Sequence, residues 1–396
     1  MFVRGFKRVF AVAGACVMIV GAGLLYGFTP VQEQSPVIFS IFLSNESSER
    51  IDVTDELLRG GWYNYESQKK FRDSTSLQKR AQSIKSKKYL HEIKNNFPDI
   101  FLLIENIRKR VEISPIDGNI IFEPELEDKF RVVGQRAGRD MDEAKLAKDI
   151  IVGLKTGQHF DVHASVKIVQ PRSESEILKK VSLRGGYTTY FEKNCAREHN
   201  IALALGAFNG LVVQKGETVS FNRVVGPRTR ERGYAEAKII LDGQFVPGVG
   251  GGVCQASTTL FNAALLSGLT IDKSYNHSLA IAYVPIGRDA MVSSAADLRF
   301  VNNTGGTVYI EAGVRPATDA RSGSAYVRIY GNRTDIKYKP RTEVIEHELG
   351  DFEIDPARES RTYIEAWKGN QLVHSKLVRK SKYKSRTENC PLWVEF

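Results

Sequence analysis

The most continuous hydrophobic segment lies near the start of the chain, where residues 9–28 carry no charged side chain. As a helix this segment would be about 30 Å long, which is the thickness of the hydrocarbon core of a bilayer. No acidic residue occurs before Glu33, and three basic residues precede the segment, namely Arg4, Lys7 and Arg8. Positive residues on this side favour a cytoplasmic N-terminus and extracytoplasmic C-terminal domains. We therefore predict a cytoplasmic stub and transmembrane anchor over residues 1–30, with a cleaved signal peptide as the alternative.

Beyond the anchor, the spacing of hydrophobic positions changes twice. Residues 31–95 are rich in charge and show little sustained periodicity, which predicts a polar stalk. Residues 96–182 combine helical and alternating patterns, which predict a small α+β module. Its expected elements are a helix around 101–108, strands at 118–122 and 129–133, a helix over 146–154 capped by Asp140 or Asp142, and a strand over 162–168.

Residues 183–315 carry the densest succession of patterned segments. Asn194 can cap one helix, and a second helix follows Cys254. Short strands are expected at 218–221, 238–241, 244–246, 279–284, 298–301 and 307–312. Residues 316–396 are predicted to be β-rich, with the basic run 376–384 as a solvated strand face. The chain is thus assigned to the α+β class: an N-terminal transmembrane helix, a small α+β module, a mixed α+β domain and a β-rich C-terminal region.

The charge balance narrows the range of expected partners. Lysine and arginine number 56 against 46 acidic residues, which gives a formal net charge of +10. No alternation of aromatic and basic residues indicates a platform for stacking bases, and an extracytoplasmic chain does not normally meet nucleic acid. We therefore expect no nucleic-acid partner, and anionic lipids and cell-wall polymers as counterions.

The cysteines fit an exported protein. Of the four in the chain, Cys16 falls in the predicted anchor, and Cys195, Cys254 and Cys390 lie beyond it. An odd number outside the membrane leaves at least one thiol unpaired within the chain. Cys195 and Cys390 can form a disulfide that leaves Cys254 free. The alternative is three free thiols, and the sequence leaves both open.

Cys254 occupies the most informative position, because a glycine-rich turn precedes it and a predicted helix follows it. The turn contains Gly248, Gly250, Gly251 and Gly252, and the helix has a natural stop at Gly268. A thiol at a helix N-terminus is biased towards the nucleophilic thiolate. The alternative is a buried cysteine that acts as a small hydrophobic residue. No lysine follows the glycines, which excludes a phosphate-binding loop of the G-x-x-x-x-G-K-[ST] type.

A nucleophilic cysteine needs a base and a group that orients the base. His277, at the start of a predicted strand, is the candidate base, with a structural histidine as the alternative. Asp289 is the candidate orienting carboxylate, and Asp297 is a weaker one. Arg228, in a Gly-Pro-Arg-Thr turn, can bind a substrate carboxylate. No H-E-x-x-H or paired C-x-x-C motif occurs, so we predict neither a metal nor another cofactor.

A series of ordered motifs over about 185–315 resembles the VanW family. The motifs are Ser220-Phe221-Asn222, Val225-Gly226-Pro227-Arg228-Thr229, Gly233-Tyr234, Gly250-Gly251-Gly252-Val253-Cys254-Gln255, His277-Ser278, Tyr283-Val284-Pro285, Gly287-Arg288-Asp289-Ala290, Asp297-Leu298 and Phe300-Val301-Asn302-Asn303-Thr304. The module at 96–182 is similar to the peptidoglycan-binding domain that often precedes VanW domains. Domain boundaries at 182 and 315 follow from this resemblance.

The resemblance implies a cell-envelope protein, and in some VanW domains the family's cysteine is associated with L,D-transpeptidase activity. We therefore expect Cys254 to form a thioester with a peptidoglycan stem peptide, with His277 as base and Asp289 as its orienting group. The expected substrate-binding residues are Arg228, Gly252, Gln255 and Ser278, and backbone N–H groups at Cys254 and Gln255 are the expected oxyanion donors. Two alternatives stay open: a non-catalytic peptidoglycan-binding protein, and a cysteine peptidase that hydrolyses stem peptides.

Overall fold

The computed structural model describes residues 39–44, 50–52, 86–96, 98–156, 160–241, 244–350 and 353–387. The predicted anchor, most of the predicted stalk, Cys16 and Cys390 lie outside these residues. No helix within the described ranges is long and apolar enough to cross a membrane. The anchor over residues 1–30 and the Cys195–Cys390 pairing therefore stay predictions.

The described residues form seven α-helices and twenty strands. The helices are α1 (Ser86–Asn96), α2 (Pro98–Val111), α3 (Glu143–Thr156), α4 (Glu174–Leu178), α5 (Cys195–Gly206), α6 (Phe221–Val225) and α7 (Val253–Leu266). The strands are β1 (Phe39–Ser44), β2 (Arg50–Asp52), β3 (Asn119–Phe122), β4 (Phe130–Val133), β5 (Gly138–Met141), β6 (Phe160–Val169), β7 (Val181–Phe191), β8 (Leu211–Val213), β9 (Thr218–Ser220), β10 (Glu236–Leu241), β11 (Gln244–Val249), β12 (Thr270–Lys273), β13 (Arg299–Val301), β14 (Val308–Arg315), β15 (Gly323–Asn332), β16 (Ile336–Glu346), β17 (Glu353–Asp355), β18 (Arg358–Lys368), β19 (Gln371–Tyr383) and β20 (Arg386–Thr387). This mixture confirms the α+β class.

The chain divides into two compact units, of which the first comprises Met1–Arg110 and Met141–Val166. In its described part, β1 runs parallel to β6 and antiparallel to β2. Helices α1, α2 and α3 contribute a core of regularly spaced apolar side chains, including Ile93, Ile104, Ile107, Leu146 and Ile150. Asp142 Oδ1 accepts a hydrogen bond from the Lys145 N–H at 2.9 Å and so caps α3, whereas Asp140 lies in β5.

The second unit comprises Val111–Asp140 and Lys167–Phe396. Its central sheet is antiparallel, with the order β7-β15-β14-β8. Helix α7 packs against β7 and β15, and α5 packs against β14 and α7. The largest buried side chains between these layers are Phe208, Phe221, Phe261 and Phe300. Since β15 belongs to the predicted C-terminal region, that region completes the sheet on which α7 rests.

Helix α7 is buried although it contains many polar residues. From Gly251 to Leu265 every residue except Cys254 is buried. Some of its polar side chains bond within the helix: Thr259 Oγ1 donates to the Gln255 carbonyl at 2.7 Å, and Asn262 Nδ2 donates to the Thr258 carbonyl at 2.8 Å. Others bond neighbouring segments, as Ser257 Oγ does at the Ala290 carbonyl. A helix with these bonds can lie in the core without unpaired polar groups.

A second antiparallel sheet, β16-β18-β19, lies in the C-terminal part of the same unit. It bonds directly to the segment between β12 and β13, since the Lys384 N–H donates to the Ser278 carbonyl at 2.8 Å and Asn276 Nδ2 donates to the Lys382 carbonyl at 2.7 Å. The prediction of a strand at 279–284 is wrong, because that stretch forms turns and irregular backbone.

The expectation of a solvated face for 376–384 is also wrong for one side of β19. Lys380 and Lys382 are exposed, but Ser381 and Tyr383 are buried and the Arg379 side chain is only 8% exposed. Side chains alternate between the two faces of a strand, so a run that looks uniformly basic can still bury every second residue.

The packing of α7 on β7 predicts that Gly185→Ala destabilises the protein. A Cβ at Gly185 would lie 2.6 Å from the Leu266 carbonyl oxygen, so strand and helix would have to separate. Overpacking of this kind costs about 1–3 kcal/mol in the free energy of unfolding. Gly206→Ala is the matched control, because no atom lies within 4 Å of the added carbon and alanine favours the helix end. Urea unfolding of both variants checks this; equal midpoints would contradict it.

Candidate active site

A β-hairpin and a glycine turn deliver Cys254 to the start of α7. Strands β10 and β11 pair antiparallel, and the chain then turns through Gly250 and Gly252, with φ of 85° and 106°. A Cβ at Gly251 would lie 2.7 Å from the Ala237 carbonyl, and one at Gly252 would lie 2.9 Å from the Arg197 carbonyl. Positive φ and close backbone approach both require glycine, which explains the pattern before the cysteine.

Cys254 lies in the first turn of α7 and is the one residue of the stretch 251–265 that is not buried. Its Sγ lies 3.4 Å from the Val292 carbonyl oxygen, to which the neutral thiol donates. The partial positive charge at the helix N-terminus favours the thiolate of a cysteine in the first turn. Cys254 is thus a partly exposed residue at the start of a helix that is otherwise held in the core.

His277 and Asp289 form a buried pair beside the cysteine. The Nδ1 of His277 lies 2.7 Å from Asp289 Oδ2, and the His277 backbone N–H donates to the same oxygen at 2.6 Å. The charges of His277 and Cys254 interact, which places the imidazole beside the thiol. Because Nδ1 is engaged by the carboxylate, Nε2 is the nitrogen left for the sulfur. His277 lies in a loop after β12, not at the start of a strand.

The electrostatics favour a charged pair. Burial alone lowers the pKa of His277, but hydrogen bonds to Asp289 and Cys254 and their charges outweigh it and raise the pKa to about 9. Burial raises the pKa of the Cys254 thiol, yet the hydrogen bond and charge of His277 outweigh burial and bring that pKa below the ordinary cysteine value. Both shifts favour the thiolate and imidazolium form of the pair, which is the reactive form of a cysteine nucleophile.

The second oxygen of Asp289 is held by strand β19. Tyr383 donates its O–H to Oδ1 at 2.6 Å, and Arg379 Nη2 lies 3.3 Å from the same atom. Burial raises the pKa of Asp289, but the hydrogen bond and charge of His277, together with Arg379 and Tyr383, outweigh burial and keep that pKa below its ordinary value. Neither residue is found by sequence reasoning; the only signal is the alternation of Arg379, Ser381 and Tyr383 along one strand face.

Arg228 is a partly buried cation near the cysteine. Its charge interacts with that of Cys254, and its Nη2 donates to Asn222 Oδ1 at 2.5 Å. Asn222 is fixed in turn by Asp297, whose Oδ1 accepts the Asn222 backbone N–H at 2.9 Å. Asp297 is also bonded to Ser220 and Arg299, so in this structure it supports the arginine turn and not the histidine.

The sequence that carries the cysteine, the histidine and the carboxylate is similar to sequences of known proteins. Residues 196–322 match the family model described as VanW like protein. The chain therefore contains a VanW-like domain. The chain is 47% identical over 148 residues to the uncharacterized protein YoaR of Bacillus subtilis. The aligned residues make up 36% of this chain and 49% of YoaR.

A second curated relative is the vancomycin B-type resistance protein VanW of Enterococcus faecalis. The two are 31% identical over 131 residues, which cover 32% of this chain and 47% of the relative. The chain thus spans about half the length of each relative. No solved structure matches the chain.

Within the VanW domain, the other expected substrate-binding residues have different environments. Gln255 is 1% exposed, and its side chain is bonded to Arg197, Thr189 and the Tyr190 carbonyl. Gly252 is buried, whereas Ser278 is exposed next to His277. Of these residues, Ser278 is the one with a side chain open to a ligand.

The backbone donors near the sulfur are also unequal. The Gln255 N–H donates to the Gly252 carbonyl at 2.8 Å, so it is engaged within the turn. The Cys254 N–H has no acceptor among the described residues of the VanW domain. One backbone N–H is therefore free to stabilise the oxyanion that forms when the sulfur attacks a substrate carbonyl. Within the described ranges, no group of three or more histidine, cysteine or acidic residues is arranged to hold a metal ion.

The ion pair predicts that His277→Ala slows alkylation of Cys254 at pH 7 by at least about tenfold. Without the imidazolium, the raising effect of burial loses its main opponent and the pKa of the thiol rises. Iodoacetamide labelling followed by peptide mass mapping gives the rate at each cysteine. Cys195 is exposed and serves as the reference thiol in the same sample. Equal rates at Cys254 in both proteins would contradict the ion pair.

Proposed function

We propose that the chain is a cysteine-dependent L,D-transpeptidase that acts on peptidoglycan stem peptides and forms 3-3 cross-links. The observation that carries the proposal is the Cys254 thiol at a helix N-terminus, beside a histidine whose Nδ1 meets a buried carboxylate. Such a constellation is suited to acyl transfer through a covalent intermediate. The enterococcal relative is named for vancomycin resistance, which supports a role in the cell wall.

In the first half-reaction the Cys254 thiolate attacks a carbonyl carbon of the donor stem peptide. The carbonyl oxygen gains negative charge, and the free Cys254 N–H stabilises it. The C–N bond then breaks, His277 gives its Nε2 proton to the leaving amine, and the terminal D-amino acid departs. The donor remains attached to the sulfur as a thioester.

In the second half-reaction the amine of a neighbouring stem attacks the thioester. Neutral His277 removes a proton from the attacking amine, the C–S bond breaks, and the thiolate is restored beside the imidazolium. Asp289 holds the imidazole in one orientation through both steps. Atoms balance, because one amide is broken and one is formed.

The leaving D-amino acid carries a carboxylate, and Arg228 is suited to bind it. The charge of Arg228 interacts with that of Cys254. Among the described side chains, the guanidinium donates a hydrogen bond to the neutral Asn222. A guanidinium can bind a carboxylate through two parallel hydrogen bonds. We assign Arg228 to recognition of the terminal carboxylate of the donor peptide.

The cellular setting is part of the same proposal. Residues 1–30 hold the chain in the cell membrane as a single pass, with the remaining domains outside. The basic surface then faces anionic wall polymers and lipids, and residues 96–182 contact peptidoglycan. No metal or cofactor takes part in the proposed reaction.

Replacement of Cys254 by alanine should abolish the acyl-enzyme. Incubation of the full chain with a stem tetrapeptide should give a covalent adduct by intact-mass analysis, and the adduct should be absent from Cys254→Ala. Cys195→Ala is the matched control, since it removes an exposed thiol of the same domain and should retain the adduct. Addition of an acceptor amine should then yield the cross-linked product.

Other outcomes would assign the site differently. An adduct that yields only free tripeptide, even with acceptor present, would indicate a peptidase that uses water. No adduct together with a slowly alkylated Cys254 would indicate a non-catalytic peptidoglycan-binding protein. Either result would overturn the transpeptidase proposal.

Removal of the Arg228 charge should weaken recognition of the donor selectively. Arg228→Gln should slow adduct formation with a tetrapeptide about 10- to 100-fold, because a hydrogen bond to a charged group contributes about 1.5–3 kcal/mol. A tetrapeptide amidated at its C-terminus lacks the carboxylate and should react equally with both proteins. Initial rates from intact-mass analysis measure the ratio; the same loss with both peptides would contradict carboxylate recognition.

A further inference from the structure

The carboxylate of Asp289 is completed by residues that lie beyond the part of the chain matched by the family model. The match ends at residue 322, whereas both groups that hold Asp289 Oδ1 lie on β19. The distribution of bonds is asymmetric: Oδ2 accepts the two donors of His277, and Oδ1 faces Arg379 and Tyr383. Each oxygen of the carboxylate therefore has a separate set of partners.

Strand β19 and its neighbour also hold the backbone that carries Asp289. Tyr383 accepts the Gly287 N–H at 2.9 Å, and Arg379 Nη2 donates to the Asp289 carbonyl at 2.7 Å. On β18, Thr362 Oγ1 donates to the Gly287 carbonyl at 2.9 Å. The loop at 287–289 is thus fixed at both its backbone and its side chain.

The same strand reaches the loop that carries the histidine. Asn276 and Ser278, on either side of His277, are bonded to the backbone of Lys382 and Lys384. One short stretch of chain, 379–384, therefore contacts both loops. The relative position of histidine and carboxylate depends on it.

We propose that Arg379 and Tyr383 are positioning residues of the active site, which lock the Asp289 carboxylate so that Oδ2 points at His277 Nδ1. The inference rests on the proposed catalytic role of Cys254 and His277. A carboxylate held at one oxygen can rotate about its Cβ–Cγ bond, whereas one held at both oxygens cannot. The locked carboxylate fixes the tautomer and ring orientation of His277, which leaves Nε2 for the sulfur.

The chemistry of the two donors suits this role better than simple packing. Burial and the neighbouring carboxylate raise the pKa of Tyr383, so its hydroxyl remains a donor throughout the working pH range. The Arg379 guanidinium lies 5.4 Å above the Phe261 ring of α7, the helix that carries Cys254. Burial of a cation is costly unless its charge is used, and an apolar side chain would serve packing alone.

Tyr383→Phe tests the proposal, because it removes one hydroxyl and keeps the ring. Thr362→Val is the matched control: it removes a buried hydroxyl that bonds the same loop without touching the carboxylate. One readout is the far-downfield Nδ1–H proton resonance of His277, assigned by its absence from His277→Ala. The other is the alkylation rate of Cys254. Neither needs a peptide substrate, so they report on positioning even if no acyl-enzyme forms.

We expect Tyr383→Phe to broaden or remove the His277 resonance and to slow alkylation about tenfold. Thr362→Val should keep both, although its melting temperature falls. Arg379→Lys, which keeps the charge but not the fork of donors, should behave like Tyr383→Phe. The other charged or titratable groups that act on Cys254 or Asp289, Tyr283 and Arg228, are unchanged in all variants. A resonance and rate retained in Tyr383→Phe and Arg379→Lys would overturn the proposal.

Discussion

The buried carboxylate of Asp289 is the group on which the site depends. It is 1% exposed and yet charged, which is tolerable only because four donors surround it: the backbone and ring of His277, the Tyr383 hydroxyl and the Arg379 guanidinium. These donors come from separate parts of the chain. Satisfying one charge therefore joins two irregular loops to the C-terminal sheet, and removal of any donor leaves a charge in the interior with fewer partners.

The second constraint is the burial of α7. Its polar side chains bond within the helix or to neighbouring segments, so the helix can be buried along nearly its whole length, and Cys254 is the one residue of the stretch 251–265 that is not buried. The glycine turn then fixes the direction from which the helix starts. A buried helix thus holds Cys254 in place, and the N-terminal end of that helix favours the thiolate.

Sequence patterns predict the parts of this site that are local. Glycines at positive φ, the helix after Cys254 and the cap at Asn194 depend on neighbours in the chain, and the structure has all three. His277 and Asp289 were predicted as partners from residue chemistry, and the structure brings them together. The strand predicted at 279–284 was wrong. The neighbouring residues 276–278 are instead hydrogen-bonded to the C-terminal sheet, about a hundred residues further along the chain.

What sequence reasoning could not find is non-local. Arg379 and Tyr383 sit in a basic run whose composition indicates solvent exposure, and only the pairing of β18 with β19 and the packing of that sheet reveal which face is inward. Likewise, Gln255 was expected to face substrate because it adjoins the cysteine. Its side chain instead forms hydrogen bonds with Arg197 of α5 and with Thr189 and Tyr190 of β7.

The distance along the chain between these partners has a consequence for the order of assembly. Tyr383 and Asp289 are separated by 94 residues, and Asn276 and Lys382 contact across 106. Contacts that close long loops form late in folding. During synthesis β19 emerges well after the cysteine, histidine and aspartate have done so. In a growing chain Cys254, His277 and Asp289 thus remain without their full support, and their arrangement is completed only after the C-terminal sheet has folded onto the loops.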